Sequence, residues 1–189
     1  MSVLPITTVG DPVLREPAPP LSPEELRSDE VQRLIDDLIE TRRAAGGAGL
    51  AAPQVSARRR IAVVEVDDAT RRRYPYKPPV PLTVIVNPVI EPVGEDQLLI
   101  SEGCLSVPGL RGDVPRHRAV HVHYFDRNGE PCEQVVEGLT AGTFQHEVDH
   151  LDGILFLDRV ADPRSLSTWE QFERHGKAAF LDRIARYAA

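Results

Sequence analysis

The chain has 189 residues, 41% of them hydrophobic and 27% charged, with a formal net charge of −7. That length can bury a core as a single domain. The acidic balance argues against direct nucleic-acid specificity, since phosphate binding needs a basic footprint, and no apolar run is long enough to span a bilayer.

The opening "MSVLPITTVGDPVLREP" has no basic start, apolar core and small-residue cleavage site, so no secretory signal is read and a cytoplasmic location is expected. Residues 1–21 are rich in proline and read as an extended arm. Residues 22–45 read as an amphipathic helix: Ser22 is the N-cap, Pro23 suits the first helical position and Glu25 completes a capping box. Val31, Leu34, Ile35, Leu38 and Ile39 give it one apolar face. "GGAGLAAPQ" (46–54) ends the helix as a loop of small residues. The arginines 58–60 read as a solvated turn before the strand "RIAVVEVD" (60–67), and arginines 71–73 as a solvated loop.

A segment with several prolines, 74–81, leads to the strand 82–88. Residues 96–109 run strand into turn, and 118–138 read as a hairpin with Asn128-Gly129 at its tip. His121 and His123 alternate with Val120 and Val122, so they mark the polar face of a strand. A helix from near Leu139 to about Leu151 is stopped by Gly153, and 154–160 is a short strand or extended segment. A last amphipathic helix spans about 168–187, with Ser167 and Glu170 as its capping box and Phe172, Phe180, Leu181, Ile184 and Tyr187 as its stripe. Strands in the middle with helices between and after them read as an α+β domain covering 1–189.

The helix near 139–151 carries "QHEVDH" (145–150). On a helix, positions i and i+4 share a face, so His146 and His150 can hold one metal together. Glu147 sits about 100° around the axis, able to meet a water at that metal without being a ligand. The third ligand decides between this and a chance match. Downstream, Asp152, Asp158 and His175 stand in no recognisable ligand setting. Upstream, "EGCLS" (102–106) puts Cys104 in a glycine turn at the end of an apolar strand, which would complete a Cys-His-His set with a fourth position open for water. A buried core cysteine and a helix face satisfied by hydrogen bonds remain the plain alternatives. In "GAGLAAPQ", Gly46 or Gly47 alone would end a helix. That leaves Gln54 unexplained: a side-chain amide behind small residues can donate to a developing oxyanion. The two cysteines, Cys104 and Cys132, are expected as free thiols.

In this order, "GAGLAAPQ", "EGCLS" and "QHEVDH" resemble the three signature blocks of the peptide deformylase family. "DPVLRE", "SVPGLRG" and "DHLDGILFLDR" extend the likeness over about residues 5–160. The resemblance implies antiparallel sheets around the central HExxH helix, with an N-terminal and a C-terminal helix. It implies Cys104, His146 and His150 as ligands of one divalent metal, Fe²⁺ natively, with Zn²⁺, Ni²⁺ or Co²⁺ able to take the site. Glu147 would be general base and proton shuttle, and Gln54 with the backbone N–H of Leu105 would stabilise the oxyanion. The substrate would be an N-formylmethionyl nascent peptide, losing formate.

Gly49 and Arg111 match positions that meet the substrate backbone, and Gly47, Glu102 and Gly103 fall in the same substrate-binding blocks. Ala48, Ile100, Leu139, Gly142 and Thr143 would line the methionine pocket. Because Ala48 and Gly142 are smaller than the branched residues expected there, the pocket should be roomier. Asp149 is a candidate to orient a ligand histidine, and Cys132 is expected to be structural. Ser56 stands where the family more often has glycine, and "ATRRRYPYKPPVP" is longer than the family's minimal connection. In some relatives a C-terminal helix contacts the ribosome; here Arg174, Lys177, Arg183 and Arg186 could do so, though a helix packed on its own domain is the simpler reading. Three rivals stand beside this: a non-catalytic binder of formylated peptides, a metalloprotease and a structural zinc module.

Overall fold

The computed structural model describes residues 2–186. Tyr187, expected in the last helix, lies outside them. The helix expected over 22–45 is two helices, α1 (Pro23–Arg27) and α2 (Asp29–Ala45). Ser22 and Glu25 form the reciprocal capping box of α1. Ser28 then adopts an extended conformation, and its hydroxyl accepts from Val31 N to start α2. A serine oxygen satisfies an orphan N–H at a helix start, so a second cap splits the run. Gly46 closes α2 at φ 65°, where a side chain would be strained.

The first sheet contains β1 (Gly49–Ala51), β2 (Ile61–Val66), β3 (Val80–Pro92), β6 (Ala119–Phe125) and β7 (Pro131–Glu137). Its strand order is β1-β2-β3-β6-β7, antiparallel throughout. Both faces are apolar in part, which explains the unbroken burial of β2. Ile61, Val63, Val84 and Val86 pack under Ile35, Leu38 and Ile39 of α2. Ala62, Val64, Ile85, Val120 and Val122 face the other way, onto Phe144, Val148 and Leu151. These three belong to α4 (Gly138–Leu151), the central helix. Asn128-Gly129 sits at the β6–β7 turn, with Gly129 at φ 86°.

The second sheet pairs β4 (Gln97–Cys104) with β5 (Val107–His117), and β5 with β8 (Ser167–Thr168). Strand β5 is unforeseen: two prolines and two glycines in "VPGLRGDVPRH" mask a strand whose pairing partner supplies the order. Likewise 49–51 is a strand rather than loop, followed by a 3-10 turn, Ala52–Val55. The expected loop at 71–73 is instead the end of helix α3 (Asp68–Arg73), capped by Asp67, which accepts from Thr70 N. The segment 154–160 contains a 3-10 turn, Phe156–Arg159, not a strand.

At the C-terminal end, α5 (Trp169–Gln171), a π turn (Phe172–Gly176) and α6 (Lys177–Ala185) run continuously. Thr168, not Ser167, caps this run, its Oγ1 accepting from Gln171 N. Phe172 and Phe180 pack on Leu98 and Ile100 of β4. Arg174, Lys177 and Arg183 are paired with Glu170, Glu173 and Asp113. Among the described residues no helix is long and apolar enough to cross a membrane.

Candidate active site

Cys104 ends β4, and the turn at Leu105–Ser106 sends the chain back as β5 beside α4. The Cys104 sulfur lies 3.2 Å from His150 Nε2. One ligand atom each from Cys104, His146 and His150 lies within 4.8 Å of the other two. A thiolate and two imidazoles are a donor set for a borderline divalent ion. Asp152 is instead engaged by Arg60, and Asp158 by Arg15 and the Leu155 N–H.

His146 turns its Nδ1 to Glu102 Oε2 at 2.9 Å, which leaves Nε2 on the cysteine side. Arg116 grips the same carboxylate through two bonds, 2.7 and 3.0 Å, and reaches Asp149 at 2.6 Å. The residue orienting a histidine of this candidate set is therefore Glu102, a strand residue expected to meet substrate. Asp149 touches no histidine; Arg116 and Arg159 hold it. Burial disfavours the charged Glu102, yet Arg116 and His146 bring its carboxyl down to about 2. Burial likewise disfavours ionised Cys104 and His146. The sulfur and the two imidazoles stabilise one another more, so the thiol is held well below its usual range and His146 well above.

Glu147 is the next residue on α4, buried, with its carboxyl pushed up chiefly by burial and its Oε2 lacking any hydrogen-bond partner among the described residues. Opposite it stands Gly49 of β1. A Cβ there would lie 2.5 Å from Glu147 Cδ and 2.6 Å from its Cγ, so only glycine allows strand and carboxylate to be this close. Gln54, at the end of the following turn, accepts from Ala51 N through Oε1 and points Nε2 at Ser106 Oγ (3.1 Å) and the Cys104 sulfur (3.5 Å). The arm clamps both turns: Thr7 N donates to Gln54 O and Val9 N to Ser106 O. Ser56 does take the left-handed conformation that favours glycine, φ 61°, and its hydroxyl bonds Thr7. Behind β1, buried Arg42 donates to Gly47 O and pairs with Glu65 and Asp67.

One cleft collects Gly47, Ala48, Gly49, Gln54, Ile100, Glu102, Gly103, Cys104, Leu105, Leu139, Gly142, Thr143, His146 and Glu147. The extra room expected at Gly142 is absent, because the Ile100 side chain occupies the place a Cβ would take. Arg111 also lines the cleft, but its guanidinium is committed to Ser101 and stacks 4.2 Å from both Trp169 and Phe172.

Sequence reasoning missed the other wall: Arg73, Tyr74, Tyr76, Lys77, Trp169 and Phe180. The aromatic-rich "YPYK" inside the long connection was the available signal. Lys77 donates to Thr143 Oγ1 at 2.5 Å, and burial lowers its ammonium to about 8 against the pull of Glu102 and Glu147.

This arrangement has counterparts. The polypeptide deformylase family model matches residues 3–165. A Nostoc protein named peptide deformylase 2 is 43% identical over 173 residues, covering 90% of this chain and 93% of its own. A peptide deformylase of Leptospira biflexa is 38% identical over 94% of this chain and 98% of its own. Among solved structures, the Met-Ala-Ser-bound class I type b peptide deformylase of Acinetobacter baumannii superposes with a TM-score of 0.80 at 42% identity, over 85% of this chain and all of that one. The likeness thus spans both sheets, the central helix and all three signature blocks, and the chain belongs to the polypeptide deformylase family.

Proposed function

We propose that this chain, acting as one catalytic domain, removes the formyl group from the N-terminal formylmethionine of newly made polypeptides and releases formate. The observation that carries this reading is the meeting of Cys104 and His146 with the carboxylate of Glu147 and the amide of Gln54 in one cleft, with His150 against the Cys104 sulfur.

Cys104, His146 and His150 would hold one divalent ion, natively Fe²⁺, and the same soft and borderline donors accept Zn²⁺, Ni²⁺ or Co²⁺. Such an ion supplies Lewis acidity, which polarises the formyl oxygen and makes a water nucleophilic near neutral pH. Glu147 takes the proton of the attacking water and returns it to the departing amine. A carboxyl raised by burial is the better base for that exchange, because its affinity for the proton lies nearer the working pH. Gln54 Nε2 and the Leu105 N–H would donate to the oxygen as it gains charge. Glu102 holds the His146 ring by its Nδ1, so that Nε2 is the nitrogen offered to the ion.

The substrate backbone would run past Gly47, Gly49 and Gly103, where small residues admit a peptide. The first side chain would enter between Ala48, Ile100, Leu139, Gly142 and Thr143, with Lys77 on its wall. A relative solved with Met-Ala-Ser bound supports a peptide of that length and end. The test is formate release from formyl-Met-Ala-Ser by protein loaded anaerobically with Fe²⁺ or Ni²⁺, beside Glu147→Ala. Turnover in the parent and near-zero turnover in a metal-loaded variant are expected. No turnover by the metal-loaded parent would move the reading to a binding protein.

A further inference from the structure

We propose that His121, His123 and Glu133 form a second divalent-metal site, of zinc-type chemistry, on the open face of the first sheet. Helix α2 covers that face only over β1, β2 and β3. Beyond it, β6 presents His121 and His123 outward while Val120 and Val122 point to α4. Residues two apart on a strand share a face, and these two rings stand 4.0 Å apart, centre to centre.

Glu133 lies directly opposite His123 on the edge strand β7. One of its oxygens, Oε2, sits 3.4 Å from His123 Nδ1 and 3.5 Å from His121 Nε2. Two neighbouring ligands in a tetrahedral site with bonds of about 2.0–2.1 Å are separated by about 3.3–3.4 Å. The two observed spacings therefore match edges of such a tetrahedron to within about 0.2 Å. All three ligand atoms lie within 4.8 Å of one another, so closing the third edge needs only side-chain rotation.

The second nitrogen of His123 faces Glu91 of β3 at 3.9 Å, the place from which an outer carboxylate steadies a ligand imidazole. Imidazoles with a carboxylate and no thiolate suit Zn²⁺, Cu²⁺ or Ni²⁺, and they do not suit Mg²⁺ or Ca²⁺. The site is independent of the cleft, because a whole sheet layer lies between them. Its effect would be to tie the edge strand β7 to β6. The ordinary alternative is a pair of strand histidines that meet glutamates only as ion pairs.

The test uses protein already loaded with one Zn²⁺ per chain and dialysed, then titrated with further Zn²⁺ while bound metal and the melting temperature are followed. The parent should take one further ion at micromolar free Zn²⁺, with a melting temperature that rises with concentration. His121→Ala and Glu133→Gln should each weaken that second binding at least about tenfold, while formate release and the first ion are unchanged. A parent that binds no second ion at these concentrations would overturn the proposal. So would a second ion bound equally well by the His121→Ala, His123→Ala double variant.

Discussion

Gly49→Ala is the substitution that most directly tests how Glu147, the proposed base, is held. The added Cβ would sit 2.5 and 2.6 Å from two carbons of Glu147, where ordinary carbon contacts are about 3.5–4.0 Å. Glu147 is 3% exposed, on a helix packed against both sheets, and β1 is bonded along its length to β2. Neither can yield freely, so the carboxylate must move by about 1 Å. A displacement of that size costs about a hundredfold in rate, or about 2.7 kcal/mol of barrier, besides about 1–3 kcal/mol of stability from overpacking.

Cys104, His146 and His150 are not touched, so bound metal should stay at the parent level, whereas KM should rise as well, because Gly49 borders the proposed path of the substrate backbone. The assay is steady-state formate release from formyl-Met-Ala-Ser, with metal per chain measured on the same samples. Because both changes disable one carboxylate, Gly49→Ala combined with Glu147→Ala should be hardly slower than Glu147→Ala alone. A fully metal-loaded Gly49→Ala enzyme whose kcat is within about threefold of the parent would refute the reasoning, since the proposed base would then tolerate misplacement.

Arg116→Met should destabilise the fold by about 3–5 kcal/mol in urea unfolding, because it strands the buried Glu102 without its two bonds; a loss below about 1 kcal/mol would show that the pair relaxes. Ile100→Ala should open the space beside Gly142 and raise the formyl-Phe to formyl-Met ratio of kcat/KM, at about 2–4 kcal/mol of stability; an unchanged ratio would mean that Ile100 does not limit the pocket. Asp67→Asn keeps a helix-capping residue but removes a carboxylate held at about 2 by the Thr70 N–H, with Arg42 adding to the effect. A lowered folded value means that this stability is complete above the unfolded carboxyl range and is lost as pH falls from about 4 toward 2. With a third of the side chain exposed, the loss at pH 7 should be about 1 kcal/mol, and the acid limb of the variant should be flatter over that window.

Local signals were the legible part of the fold. Ser22, Pro23 and Glu25 announce α1 within four residues, and Asn128-Gly129 announces a hairpin tip. Ser28 followed by Asp29 and Glu30 is the same kind of signal, and an apolar stripe running past it hid the break. Strand β5 could not be read because its order comes from β4, not from its own prolines and glycines. The HExxH helix is surrounded by both sheets, so it has no polar face for periodicity to find, and only its motif marks it. Within the site, adjacency misled: Asp149 is next to His150, yet the carboxylate that steadies a histidine of the cluster is Glu102, 44 positions from His146. The wall made by Tyr74, Lys77 and Trp169 joins segments far apart in the chain, and nothing local to either segment encodes their meeting.

The arm has a kinetic consequence. Thr7 and Val9 bond to the turns bearing Gln54 and Ser106, and Ala18 N donates to Leu151 O at the end of the central helix. The partners of this arm therefore all lie well downstream of it, that of Ala18 as far on as Leu151. Contacts of such sequence separation are late and slow to form, so folding should finish with the arm sealing a cleft whose Cys104, His146 and His150 are already near one another. Unfolding should begin by reversing that step, with the arm peeling away before either sheet is lost.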